Sequence, residues 1–178
     1  MRRFEDLIAE HDVAIHEFVN CASCVPGERW DTPRAAGKWT PAQEVKHVVL
    51  GLEAFGRDLR GEGKLRLKGK WWQRRLWRLF AFPRIMRTRS IFRAVPAPRE
   101  TRPPDNPGDQ ATLLAELQEQ WGDLRALAIE TYSASPRRSV THPYFGDLTV
   151  AELVGFSVIH VRHHARFLTW GSDVAAPS

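Results

Sequence analysis

In four stretches of this chain apolar side chains recur every three or four residues, and nowhere do they alternate with the two-residue period of a half-buried strand. Helices are the only regular elements such a pattern specifies. The first stretch, residues 3–23, carries Phe4, Leu7, Ile8, His11, Ala14, Ile15, Phe18 and Ala22 on one stripe, and Pro26-Gly27 ends it. The second opens where Thr40 suits an N-cap, Pro41 the first helical position and Gln43 the return bond of a capping box. It runs from Pro41 to Leu59, with Val45, Val48, Val49, Leu52, Phe55 and Leu59 as its apolar members. The third begins behind Asp109, carries Leu113, Leu114, Leu117, Trp121, Leu124, Leu127 and Ala128, and stops at Ser133-Ala-Ser-Pro136. The fourth opens on a second capping box, Thr149 and Glu152, and lasts to Trp170, with Gly171 closing it. The chain therefore reads as all-α, a four-helix bundle with a long crossover between helices two and three, residues 60–108.

At 178 residues it matches one domain, 1–178, able to bury roughly 70% of its unfolded surface without cross-links. No apolar run approaches the roughly 20 residues that span a bilayer. Glu5, Asp6, Glu10 and Asp12 interrupt the apolar segment that a cleaved signal needs. Cys21 and Cys24, the only cysteines, make no disulfide framework, and without a βαβ context or two further ligands they read as small residues near a helix end. The cytoplasm is the expected compartment.

The net charge of +5 is unevenly spread: Arg57 to Arg102 holds 15 Lys/Arg against 3 Asp/Glu, leaving 11 against 18 elsewhere. Within that segment Trp71, Trp72 and Trp77 interleave with Arg74, Arg75 and Arg78, and a proline-rich run follows from Pro96 to Pro107. Such a composition can serve a membrane surface or nucleic acid. Trp72, Leu76, Leu79 and Phe80 also make one apolar face, which a crossover helix would press against the bundle, or against a second copy in a homodimer, with the arginines in water. We adopt the packed arrangement over membrane or nucleic-acid contact.

His160 and His164 stand one helical turn apart and flank the stripe of Val154, Val158, Val161, Ala165 and Leu168. Two nitrogens so placed can bind one ion at about 2.0–2.1 Å, and His47 would complete a three-nitrogen site. The bland alternative is a pair of solvated histidines on a helix edge. His47 falls roughly 130° from the centre of its helix's main stripe, beside Leu50, Gly51 and Ala54, so helix two would have to be buried on two sides. Glu44, one turn earlier, either orients that imidazole or supplies a favourable negative charge near the helix N-terminus. His11 reads as a core histidine with one hydrogen-bonded nitrogen, and His16 as solvated. A zinc-protease helix is excluded because Val161, Arg162 and His163 offer no carboxylate inside the pair. A di-iron carboxylate bundle is excluded because Glu44 to His47 is the only Glu-x-x-His unit among these residues.

Three motifs, Gly37-Lys-Trp-Thr-Pro-Ala-Gln-Glu-Val-Lys-His47, His142-Pro-Tyr-Phe-Gly-Asp-Leu-Thr-Val-Ala-Glu152 and His160-Val-Arg-His-His164, occur in an order that resembles the DinB-like superfamily across nearly the whole chain. The resemblance implies a bacterial four-helix bundle with a divalent metal held by His47, His160 and His164. Imidazole donors suit Zn or Ni, with Fe, Mn or Cu as further options. Some DinB-like proteins are metal-dependent transferases or isomerases that use low-molecular-weight thiols such as bacillithiol or mycothiol. By that resemblance we expect a small-molecule substrate and an ion that acidifies a thiol or water, in a thiol S-transferase, isomerase or hydrolase. Tyr144, Arg162 and His163 are expected pocket neighbours without an assigned role. The rival is a non-catalytic binding module whose Trp/Arg segment contacts a partner or an anionic membrane surface.

Overall fold

A computed structural model describes residues 3–92 and 95–169. Its helices are α1 (Phe4–Ser23), α2 (Pro41–Arg60), α3 (Trp71–Leu76), α4 (Phe82–Thr88), α5 (Gln110–Ala134) and α6 (Val150–Ala165), and a hairpin of β1 (Ser139–His142) and β2 (Gly146–Thr149) leads into α6. The fold is an all-α bundle with one small sheet among the described residues.

Capping chemistry sets where three of the long helices begin. Thr40 Oγ1 accepts from the Gln43 amide and Gln43 returns the bond, each at 3.1 Å; Thr149 and Glu152 repeat the device on α6. Asp109 accepts from the Thr112 amide at 3.0 Å. Gly61, with φ of 79°, stops α2 in the left-handed conformation. Every residue of the α1 stripe is buried, Phe18, Ala14 and Ala22 completely. α1 packs chiefly on α6 and α2 on α5, and one apolar core joins all four.

Three expectations need correcting. First, helices are not the only regular elements: ahead of α6, β1 and β2 pair antiparallel, Val140 opposite Leu148, with Gly146 turning the chain at φ of 72°. Four-residue strands are too short to show a period of two, and Asp58 of α2 pins the hairpin by accepting from the Thr141 amide at 2.8 Å. Second, the α-helical part of α6 ends at Ala165, followed by a turn through Leu168; Trp170 and Gly171 lie outside the described residues.

Third, the apolar face of the crossover helix is turned to solvent. Residues 71–88 are helical throughout, but α3 passes through a π-helical segment, Trp77–Ala81, before α4. An α-helix has 3.6 residues per turn and drifts off a four-residue spacing; the wider π turn resets it. The inward positions consequently recur every four residues, as Gln73-Arg74, Trp77-Arg78, Ala81-Phe82 and Ile85-Met86. Phe82 and Ile85 join Leu148, Phe156 and Ile159 in a second small core, while Arg78 donates to Glu152 at 2.6 Å. Trp72, Leu76, Leu79 and Phe80 are 45%, 47%, 65% and 67% exposed.

The rest of the crossover closes over α2. A short 3-10 turn, Arg99–Thr101, packs against it, Gln43 Nε2 donates to the Pro104 carbonyl at 3.2 Å, and Trp30 Nε1 to the Gly108 carbonyl at 3.0 Å. Glu44, His47 and Gly51 are buried on the side of α2 away from its main stripe, where Thr101 of this cover meets His47 and α6 meets Glu44. Among the described residues no helix is long and apolar enough to cross a membrane.

Candidate metal centre

His47 enters the site from α2, and His160 and His164 from α6. His47 Nδ1 donates to the Thr101 carbonyl at 2.7 Å, because a carbonyl oxygen can only accept; its Nε2 is therefore a lone pair. His164 Nδ1 lies 2.6 Å from Glu44 Oε2, and a carboxylate there accepts the Nδ1 proton and leaves Nε2 bare. His160 Nε2 faces both, 3.3 Å from His47 Nε2 and 3.1 Å from His164 Nε2. With Glu44 ionised and all three rings neutral, one ring proton on His160 can serve only one of these lone pairs, and a cation at the centre would satisfy them together.

Two of the three nitrogen–nitrogen spacings match those of an ion's ligands, the pairs that His160 makes with His47 and with His164. Two bonds of about 2.05 Å separate their nitrogens by about 3.3 Å at a tetrahedral angle and by about 2.9 Å at a right angle. The observed 3.1 and 3.3 Å lie in that interval, and one nitrogen from each ring lies within 4.8 Å of the other two. Burial holds His47 below the ordinary imidazole value, and burial with the neighbouring rings holds His160 and His164 well below it. Neutral imidazole is the form that ligates. Burial pushes the Glu44 carboxyl up to about 7, against the pull of Arg34, so further positive charge nearby would favour its ionised form.

Aromatic rings wall the triad. Trp39 lies 4.8 Å from the His47 ring, Phe156 stacks 5.9 Å from His160, and Phe167 sits edge-on 6.0 Å from His164.

A family model described as the DinB superfamily matches residues 10–168. The chain belongs to the DinB superfamily. The match takes in His47, His160 and His164 and most of each long helix. No curated protein and no solved structure matches the chain.

Around the centre of this DinB superfamily member some sequence expectations hold and others do not. Glu44 orients an imidazole, but it is that of His164; His47 is oriented by Thr101. Arg162 is no pocket neighbour, since it reaches to α1 and donates to Glu17 and Glu10 at 2.9 Å each. Tyr144 donates to the Pro96 carbonyl at 2.5 Å, whereas His163 does sit beside the site, its ring 5.3 Å from that of His164. His11 is a fully buried core histidine outside the triad, with Nε2 2.7 Å from Ser157 Oγ and its ring stacked 3.6 Å from Trp121. His16 is exposed, and both cysteines are free. Thr101, Trp39 and Phe156 escaped sequence reasoning. Thr101 acts through its carbonyl, which has no side-chain signature, while Trp39 stood in plain view beside the Thr40 cap.

Proposed function

We propose that the protein is a metal-dependent enzyme in which His47, His160 and His164 hold a divalent ion and activate a low-molecular-weight thiol or water. The observation that carries this reading is the convergence of three Nε2 atoms, two of them on rings whose Nδ1 is already committed to Thr101 and Glu44. A bound divalent ion supplies Lewis acidity, bringing the pKa of a thiol or water toward neutrality. The chain does the rest. Thr101 and Glu44 hold two rings at fixed orientation, and the Glu44 charge makes His164 a stronger donor. Burial keeps the imidazoles deprotonated, and Trp39, Phe156 and Phe167 set apolar surface against them. Three protein donors leave room for a small-molecule ligand.

The ion rests on the geometry; the thiol rests on the resemblance to thiol-using DinB-like enzymes. Thiol S-transfer to an electrophilic carbon is the reaction class we assign, with isomerisation or hydrolysis as variants of the same activation. We place the enzyme in the cytoplasm, in keeping with its free Cys21 and Cys24.

Elemental analysis of the purified protein tests the ion. Near-stoichiometric Zn or Ni is expected, lost in His160→Ala and in His164→Ala while the helical circular dichroism survives. Protein that takes up neither metal on reconstitution refutes the reading. Thiol consumption by the loaded protein, screened with bacillithiol and mycothiol against small electrophiles and absent in His160→Ala, then tests the reaction class.

A further inference from the structure

The outward face of residues 71–88 plays no part in the metal centre. Trp71, Trp72, Leu76, Leu79 and Phe80 are 45–67% exposed and follow one another along it. Scattered exposed apolar side chains are ordinary, but a contiguous run of this kind marks a contact surface. Arg75, Arg84 and Arg87 are exposed on the same helical stretch, and the sequence holds no acidic residue between Glu62 and Glu100. Of the arginines that turn toward the bundle, Arg78 pairs with Glu152 and Arg89 with Glu10, while Arg74 donates to the Gly69 carbonyl. A groove of about 720 Å³ runs between this helix and the hairpin turn, lined among others by Trp71, Leu79, Phe145 and the exposed carboxylate of Asp147.

We propose that this face docks the protein on an anionic lipid surface. A bilayer interface satisfies both halves of its chemistry: indole rings settle at headgroup level, Leu79 and Phe80 enter the acyl boundary, and the arginines meet lipid phosphates. A second copy of the chain fits worse. A two-fold contact sets a patch against itself, and here that opposes arginine to arginine across an acid-free helix. Nucleic acid would engage the arginines and leave Leu76, Leu79 and Phe80 in water. Since no described helix is long and apolar enough to span a bilayer, the docking of these residues is peripheral. It is independent of the proposed chemistry, because none of its residues touches the triad.

Co-sedimentation of the full chain with vesicles tests the docking, using phosphatidylcholine alone and equal parts phosphatidylcholine and phosphatidylglycerol. Binding is expected to the anionic vesicles only, and to weaken as salt is raised on the wild-type protein. The triple variant Arg75→Gln, Arg84→Gln, Arg87→Gln should bind about fivefold more weakly per arginine, on the order of a hundredfold in all. The double variant Leu79→Ser, Phe80→Ser should lose at least tenfold, with both variants melting at the wild-type temperature. A full chain that ignores anionic vesicles, or variants that bind as the wild type does, overturns the proposal. So does self-association in light scattering that vanishes with Leu79→Ser, Phe80→Ser, which would make the face a subunit contact. Binding to duplex DNA but not to vesicles, lost only with the arginines, overturns it as well.

Discussion

Replacing His11 by glutamine should flatten the acid side of this protein's stability curve. The ring is fully buried between α1 and α6, stacked on Trp121, with one nitrogen on Ser157, and burial lowers its pKa to about 3. In the unfolded chain the same group titrates near its ordinary value of about 6.5. Because the folded value is the lower one, the unfolded state binds the extra proton between about pH 6.5 and pH 3, and stability falls as pH drops through that window. Above pH 6.5 neither state is protonated and the group has no pH-dependent effect. The loss attributable to His11 is about 1.4 kcal/mol at pH 5.5 and about 2.7 kcal/mol at pH 4.5, relative to alkaline pH. At pH 5.5 the figure depends on the unfolded value and hardly on the folded one. His11→Gln keeps a polar group within reach of Ser157 and removes the titration. Urea unfolding of wild type and variant, both stripped of metal with a chelator, should give curves that converge by these amounts between about pH 7.5 and pH 4.5. His142, lowered to about 3 by burial, adds the same slope to both proteins and cancels in the difference. Parallel curves would refute the reasoning, since they would mean that His11 is protonated alike in the folded and unfolded chain.

Three further outcomes are expected. Glu44→Gln removes the charge that holds His164 Nδ1 and should weaken zinc binding by about 10–100-fold in a chelator competition, with the helical signal unchanged; unaltered affinity would mean that Glu44 does not orient the ring. Asp58→Ala leaves the buried Thr141 amide without its acceptor and should cost about 1–3 kcal/mol in urea unfolding. Gly61→Ala should cost about 1–2 kcal/mol by the same measurement, from backbone strain alone, because φ is 79° and an added Cβ meets nothing within 4 Å.

The four long helices were legible because what makes them is local. Thr40 with Gln43, and Thr149 with Glu152, close their bonds across three residues, and the stripe from Phe4 to Ala22 is a matter of angular period. The pair His160 and His164 was legible for the same reason, being one turn apart on one helix. The short hairpin was not, because Val140 and Leu148 find each other across a turn and owe their burial to the body of the bundle. The facing of the crossover helix was misread because an apolar face in the sequence does not say what covers it: Trp72 and Leu76, which precede the π segment at Trp77–Ala81, are already exposed.

What the sequence determined by itself was the four long helices, their starts and the stops of the first three, and a pair of imidazoles fit to share an ion. Tertiary structure alone decided that His47 joins them, that Thr101 and not Glu44 steers it, and which side of the crossover helix faces water. Periods and caps act between residues a few positions apart. The contacts from His47 to Thr101 and from Glu44 to His164 span 54 and 120 residues, and they exist only once the bundle has brought those segments together.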